Sequence, residues 1–265
     1  MPFGSGGAMS EPIVLEVCAD SVESAVAAQR GGAHRIELCS GLVEGGTTPS
    51  SGLISTVRSR VSIPICVMVR PRGGDFCYGN DDFETMEQDA LTAKQLGADG
   101  VVLGILKEDG CVDVERTRHL ANLARPLTVT FHRAFDMSRD LRESLEATIA
   151  AGVHRVLTSG GEQRVEDGAS KVKELSKAAA GRISIMAGGG ITESNAHRVI
   201  AATGICELHA SAAVSVSSSM RHRNDKISMG AIKGREYQRA VVVEEKVRRL
   251  LEAALNGSRH GATVR

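Results

Sequence analysis

GGAHRIELC, residues 31–39, reads as the end of one helix followed by one strand. Gly32 supplies the left-handed stop that a helix end favours, and the alternating, β-branched run after it suits a strand. The same pattern returns in LGADGVVLG (96–104), AGVHRVLTS (151–159) and ATGICELHAS (202–211), each with its glycine (Gly97, Gly152, Gly204) just ahead of the strand. Four further runs alternate with these: IVLEVC (13–18), ICVMVR (65–70), LTVTFHR (127–133) and ISIMAGG (183–189). They open on Pro12, Pro64, Pro126 and, at the fourth place, Arg182; proline is tolerated at the first residue of a strand. Strands alternating with helices imply βαβ units and a parallel sheet. The markers recur at intervals of about 50 to 65 residues, giving four (βα)2 quarters that an open sheet has no reason to show. The expected fold is therefore α/β, a single-domain (β/α)8 TIM barrel, with a doubly wound sheet as the second choice.

The bulk properties agree. A chain of 265 residues and 28.0 kDa has the length of one such barrel. With 42% hydrophobic and 24% charged residues it is globular. Its 32 basic and 32 acidic side chains cancel, and only 3% of residues are aromatic, so no nucleic-acid partner is expected. Six cysteines without a CxxC pair read as reduced thiols. No signal-peptide pattern opens the chain and no apolar run approaches 18 residues, so a cytoplasmic protein with no membrane partner is expected. Residues 1–11 read as a flexible leader, 12–256 as the barrel and 257–265 as a flexible tail. The last helix is expected over 236–255, after a long polar connection at 212–233, whose MRHRNDK (220–226) suits a solvated loop or a subunit contact.

Strand alternation places Leu15, Val17, Val67, Val69, Val129 and Phe131 on the face towards the helices, and their neighbours inside the barrel. The interior then holds, near the carboxyl ends, Cys18, Arg70, His132 and Gly188 in one layer and Glu37, Val102, Leu157 and His209 in the next. Deeper lie Glu16, Arg35, Arg155 and Glu207, which suit a mutually neutralising network. Barrel active sites sit at the carboxyl ends. There, Cys18 and Cys39 end adjacent strands; their thiols either fill space or converge on a soft ion, Cu(I) or Zn. Glu16, Glu37, His132 and His209 suit a divalent metal or metal-free acid–base chemistry. AGGGIT (187–192) and SAAVS (211–215) occupy the loops that commonly bind phosphate in such barrels. In an enzymatic reading Gly188, Gly189, Gly190 and Ser211 bind a small anionic or phosphorylated ligand and Arg70 orients it. His132 or Glu37 transfers the proton beside His209. Asp136 is expected to cap the helix starting near Ser138. Cys66, Cys77, Cys111 and Cys206 are expected to be structural or incidental.

The strings LEVCADSVESA, GGAHRIELCSGLVEGGTTPS, VMVRPRGGDFCY, VTFHRAFDM, RVLTSGG, MAGGGIT and ELHASA resemble the copper homeostasis protein CutC family, collinearly from about Ile13 to Met229. The resemblance implies a TIM barrel, a cytosolic copper-handling role, Cu(I) binding and homo-oligomers (dimer or tetramer). It also implies that the cysteine pair proposed for Cu(I) corresponds to Cys18 and Cys39. Where some relatives carry a Cys after TSG, this chain has Gly161, so a third thiol ligand there is absent. A copper-binding protein without catalysis and an enzyme acting on a small anion are the two functional expectations.

Overall fold

A computed structural model describes residues 12–229, 232 and 234–260; the expected leader (1–11) and the end of the expected tail (261–265) lie outside the described residues. Eight strands run β1 (Val14–Ala19), β2 (Arg35–Leu38), β3 (Ile65–Met68), β4 (Gly100–Leu103), β5 (Thr128–Phe131), β6 (Arg155–Thr158), β7 (Ser184–Gly188) and β8 (Glu207–Ala210). All pair in parallel and in sequence order, and β8 closes on β1. Between them stand α1 (Val22–Arg30), α2 (Ser51–Arg58), α3 (Asn80–Gln95), α4 (Val114–Ala124), α5 (Leu141–Ala150), α6 (Ala169–Ala179) and α7 (Ala196–Thr203); α8 (Glu244–His260) follows β8 and continues past the expected domain end at 256. This is the (β/α)8 TIM barrel that the four-fold pattern predicts.

The outward strand residues Leu15, Val17, Val67, Val69, Val129 and Phe131 are fully buried in one continuous core with the helices. The barrel interior carries a second, smaller cluster of a different kind: Cys18, Cys39, Cys66, Met68 and Val102. Helix starts follow local chemistry. Ser21 accepts from Ser24 N, and Asp140 accepts from Arg142 N and Glu143 N. Ser50, rather than Thr48, caps α2; Thr48 instead pairs with Arg70, holding the loop after β2 against the end of β3.

One expected element changes type. The helix expected from 236 starts only at Glu244, because Gln238–Val242 forms a strand, β10, antiparallel to β9 (Ala213–Ser217). The run Ala240–Val243 is β-branched enough to be a strand once a partner exists, and that partner lies more than 20 residues away. Val241 and Val242 are buried, and Val242 N donates to Ser24 Oγ of α1 at 3.2 Å. The long connection is therefore the two ends of this ribbon, joined by an exposed segment.

The interior is tightly filled. A Cβ on Gly100 would meet Thr128 Oγ1 at 2.5 Å and Cys66 Sγ at 2.8 Å. Gly100→Ala is expected to cost about 1–3 kcal/mol in chemical denaturation; an unchanged midpoint and slope would show that the lower barrel is loosely packed.

Candidate functional site

The floor of the site is an ionic chain inside the barrel. Register sets Glu16 beside Arg35 on one side and His209 on the other. Arg35 Nε donates to Glu16 Oε2, and His209 Nδ1 lies 2.8 Å from Glu16 Oε1. Arg35 Nη2 also reaches Glu207 Oε2 at 3.0 Å, and Arg155 Nε reaches the same oxygen at 2.6 Å. The expected neutralising network thus forms, with Arg35 bridging its two halves. Burial by itself would raise the Glu16 carboxyl, but the His209 hydrogen bond and the Arg35 charge outweigh it and hold the group at about 2. Burial would likewise lower His209, but Glu37 and Glu16 reverse this and raise it.

Above the floor, Cys18 faces Glu37 across the β1–β2 pairing. Cys18 Sγ and Cys39 Sγ are 3.3 Å apart and both residues are buried. The thiol–thiol contact, burial and the nearby Glu37 carboxyl raise Cys18 well above an ordinary thiol. Cys18, Cys39 and Glu37 bring potential ligand atoms within 4.8 Å of one another, and so do Glu16, Glu37 and His209. Cys66, expected to be incidental, sits in the same interior cluster, and burial together with the Glu16 charge pushes its thiol to about 12.

The carboxyl-end mouth holds a cavity of about 290 Å³, bounded by Cys18, Glu37 and His209 on one wall and Arg70, His132 and Arg133 on another. His132 Nδ1 accepts from Ala134 N at 3.1 Å, so the neutral ring carries its hydrogen on Nε2. Burial, then the Arg70 charge, lowers His132 to about 3. Gly104 is what lets this ring lie across β4, since a Cβ there would come within 2.5 Å of it. Arg70 donates from Nη1 to Glu44 O (2.6 Å) and Gly46 O (2.7 Å), and from Nη2 to Gly74 O (2.8 Å). Its guanidinium carbon stands 5.0 Å over the Phe76 ring, which lies 5.0 Å from His132. Among the described residues five buried side-chain polar atoms have no hydrogen-bond partner, and three of them belong to this cavity's lining: Glu37 Oε1, Arg70 Nε and His132 Nε2.

The residues singled out in the sequence separate into three groups. Glu37, Arg70, His132 and His209 meet at the cavity, as do Gly189, Gly190 and Ser211. Gly188 stands apart: it lies in β7, where a Cβ would meet Leu157 at 2.5 Å and His209 at 3.1 Å, so its smallness serves packing. Cys18 and Cys39 meet each other. His132 does not join Glu16, Glu37 and His209 as a ligand set. Both Glu16 oxygens and His209 Nδ1 are already committed to ionic partners, which leaves a hard divalent ion only Glu37 and one imidazole nitrogen. The donor chemistry does not fit that ion. Asp136 does not cap a helix; Asp140 does. Asp136 instead accepts from Arg133 Nε, Ser159 N, Ser159 Oγ and Gly161 N, tying the loops after β5 and β6 together. Arg133, Phe76 and Leu42 also line the cavity. Their rim positions follow from loop conformation, and no strand periodicity marks them.

The two histidines should separate in a pH titration followed by imidazole NMR. His209 is expected to titrate above its usual 6.5, and His132 to stay neutral down to about 3. The neutral His132 adds stability that is complete above pH 6.5 and is lost as pH falls towards 3. His209 acts in the opposite sense, stabilising below 6.5 and losing that contribution as pH rises through its raised folded value. A His132 signal titrating near 6.5 would contradict its burial.

Comparison with known proteins follows this geometry closely. Residues 13–214 match the family model described as the CutC family. The chain is 49% identical over 257 residues to the human copper homeostasis protein cutC homolog, covering 97% of this chain and 94% of that protein. It is 48% identical over 240 residues to a CutC family protein of Chromobacterium violaceum, covering 91% of this chain and 97% of that protein. The crystal structure of a CutC protein from Streptococcus agalactiae superposes with a TM-score of 0.71 at 34% identity, covering 74% of this chain and 97% of that one. The four-quartered barrel, its sulfur-lined interior and its sequence together place this chain in the CutC family.

Proposed function

We propose that this protein serves copper homeostasis by binding Cu(I) through Cys18 and Cys39. The observation that carries the reading is the pair of buried thiols 3.3 Å apart at the carboxyl ends of adjacent strands. Thiolate and thioether sulfurs favour Cu(I) over hard divalent ions, and Met68 adds a thioether to the same cluster. A structural Zn site wants four tetrahedral donors, whereas the set at this pair comprises Cys18, Cys39 and Glu37 among the described residues. A low-coordinate soft ion suits that set better. The relatives' printed names, human and mouse, supply the homeostasis role.

Two further expectations belong to the same reading. No helix among the described residues is long and apolar enough to cross a membrane, which is compatible with a cytoplasmic protein keeping both thiols reduced. Self-association is supported by exposed Met220, Ile227 and Met229 on the segment joining β9 to β10.

Anaerobic Cu(I) titration against a competing chelator tests the site. The native protein is expected to take one tight equivalent, and Cys18→Ser/Cys39→Ser to lose it. Met68→Leu is expected to weaken the equivalent without abolishing it. Unchanged tight binding in the double variant would remove this pair as the copper site.

A further inference from the structure

We infer that the cavity at the barrel mouth is a binding site for a small hydroxycarboxylate, its carboxylate held by His132, Arg70 and Arg133 and its hydroxyl by Glu37. The inference does not rest on copper binding. It rests on where unmet polar atoms converge.

A buried polar group without a partner costs roughly 1–3 kcal/mol, more when charged, so folded proteins seldom leave several at one place. Here three residues exposed by 5% or less each point an unpartnered atom at the same cavity. Two of these atoms are donors. Nε2 of His132 carries hydrogen because Nδ1 is the acceptor for Ala134 N. Nε of Arg70 is a donor in any state of the protein. Arg70 also presents a charge question. Its partners are three backbone carbonyls, so its buried positive charge meets partial charges and no carboxylate among the described ion pairs. Arg133 adds a second cation at the rim; its Nε and Nη2 are held by Asp136, Ser159 and Glu162, which fixes the plane of the guanidinium beside Gly189. This wall is built for an anion.

The opposite wall differs. β5, which delivers His132 and Arg133, lies half-way round the eight-stranded order from β1. Glu37 Oε1, the third unpartnered atom, projects from the β1–β2–β8 side, with His209 Nε2 3.8 Å from its other oxygen. A hydroxyl both donates and accepts, so it satisfies Glu37 in either protonation state, which an ammonium or a second carboxylate does not.

The same features select against phosphate. The turn leading into α7 has its Thr192 N already taken by Asn195 Oδ1 at 2.7 Å, so the N–H group there that would meet a phosphate is occupied. A dianion would also face Glu37 across the cavity. The volume, about 290 Å³, is at the small end of the range of roughly 300–1,000 Å³ typical of small-molecule sites. Apolar Leu42, Met68, Phe76, Leu157 and Ile191 complete the lining, leaving the polar atoms confined to the two ends where the ligand's two groups would sit. Gly45, Arg70, Phe76 and Arg133 also border a larger outer groove of about 1,050 Å³, which gives the cavity an approach from solvent.

Isothermal titration calorimetry of the full chain with glycerate, lactate, propionate, glycerol and inorganic phosphate tests the inference. Glycerate or lactate is expected to bind saturably and at least tenfold more tightly than propionate, which lacks the hydroxyl, or glycerol, which lacks the carboxylate. His132→Asn keeps an acceptor for Ala134 N but removes the cavity donor, and is expected to lose at least tenfold in affinity. His132→Gln, which returns an amide donor near the Nε2 position, is expected to regain part of it. In ¹⁵N-histidine-labelled native protein the Nε2 resonance of His132 is expected to shift on glycerate addition, a readout that needs no variant to fold. Phosphate or propionate binding as tightly as glycerate would overturn the ligand class. No saturable binding with any probe, or an unmoved His132 resonance, would overturn the site.

Discussion

Glu16 is the residue on which the rest of the mouth depends. It is a fully buried carboxylate in the middle of β1, held by Arg35 from β2 and His209 from β8. A buried charge of this kind is tolerated only with partners of good geometry, and here closure of the barrel supplies them, because β8 must return to β1 to bring His209 into place. The pair then acts outward in both directions. Arg35 extends to Glu207 and Arg155 below, and His209 extends to Glu37 above. A barrel interior usually filled by branched aliphatics is divided instead into an ionic floor and a sulfur-lined upper storey.

That division explains why two functional chemistries occupy adjacent volumes without excluding each other. The thiols of Cys18 and Cys39 lie towards β1 and β2, packed with Cys66, Met68 and Val102, in surroundings that keep Cys18 protonated in the metal-free state. The donors of the mouth lie across the barrel on β3 and β5. His132 is neutral there because burial and Arg70 disfavour its cation, so it can offer a hydrogen without competing for a positive ion. Cys18 and Glu37 border both volumes. Whatever occupies one will alter the electrostatic field at the other.

Much of the architecture was legible from sequence. Gly32, Gly97, Gly152 and Gly204 have positive φ as the four helix stops require, and period-two alternation assigned Leu15 and Val17 outward and Glu16 and Cys18 inward correctly. What could not be read were features that depend on a partner distant in sequence. Gln238–Val242 becomes a strand only because β9 is available. Asp136, three residues after Arg133, reads as a cap but spends its oxygens on Ser159 and Gly161 in another loop. Glu16 reads as a metal ligand until its two ionic partners are in place.

The sequence alone determined the barrel, its register and the inventory of chemical groups at its carboxyl end, because backbone periodicity and glycine conformational preference are local properties carried by each segment. Tertiary structure alone decided which of those groups are spent and which remain unmet. Arg70 turned out to be anchored by carbonyls yet to retain a buried Nε donor, and His132 to be a fixed tautomer. Cys18 and Cys39 came into direct contact. Hydrogen bonding and burial are contests among all groups that meet in space, and their outcome exists only once the chain has closed on itself.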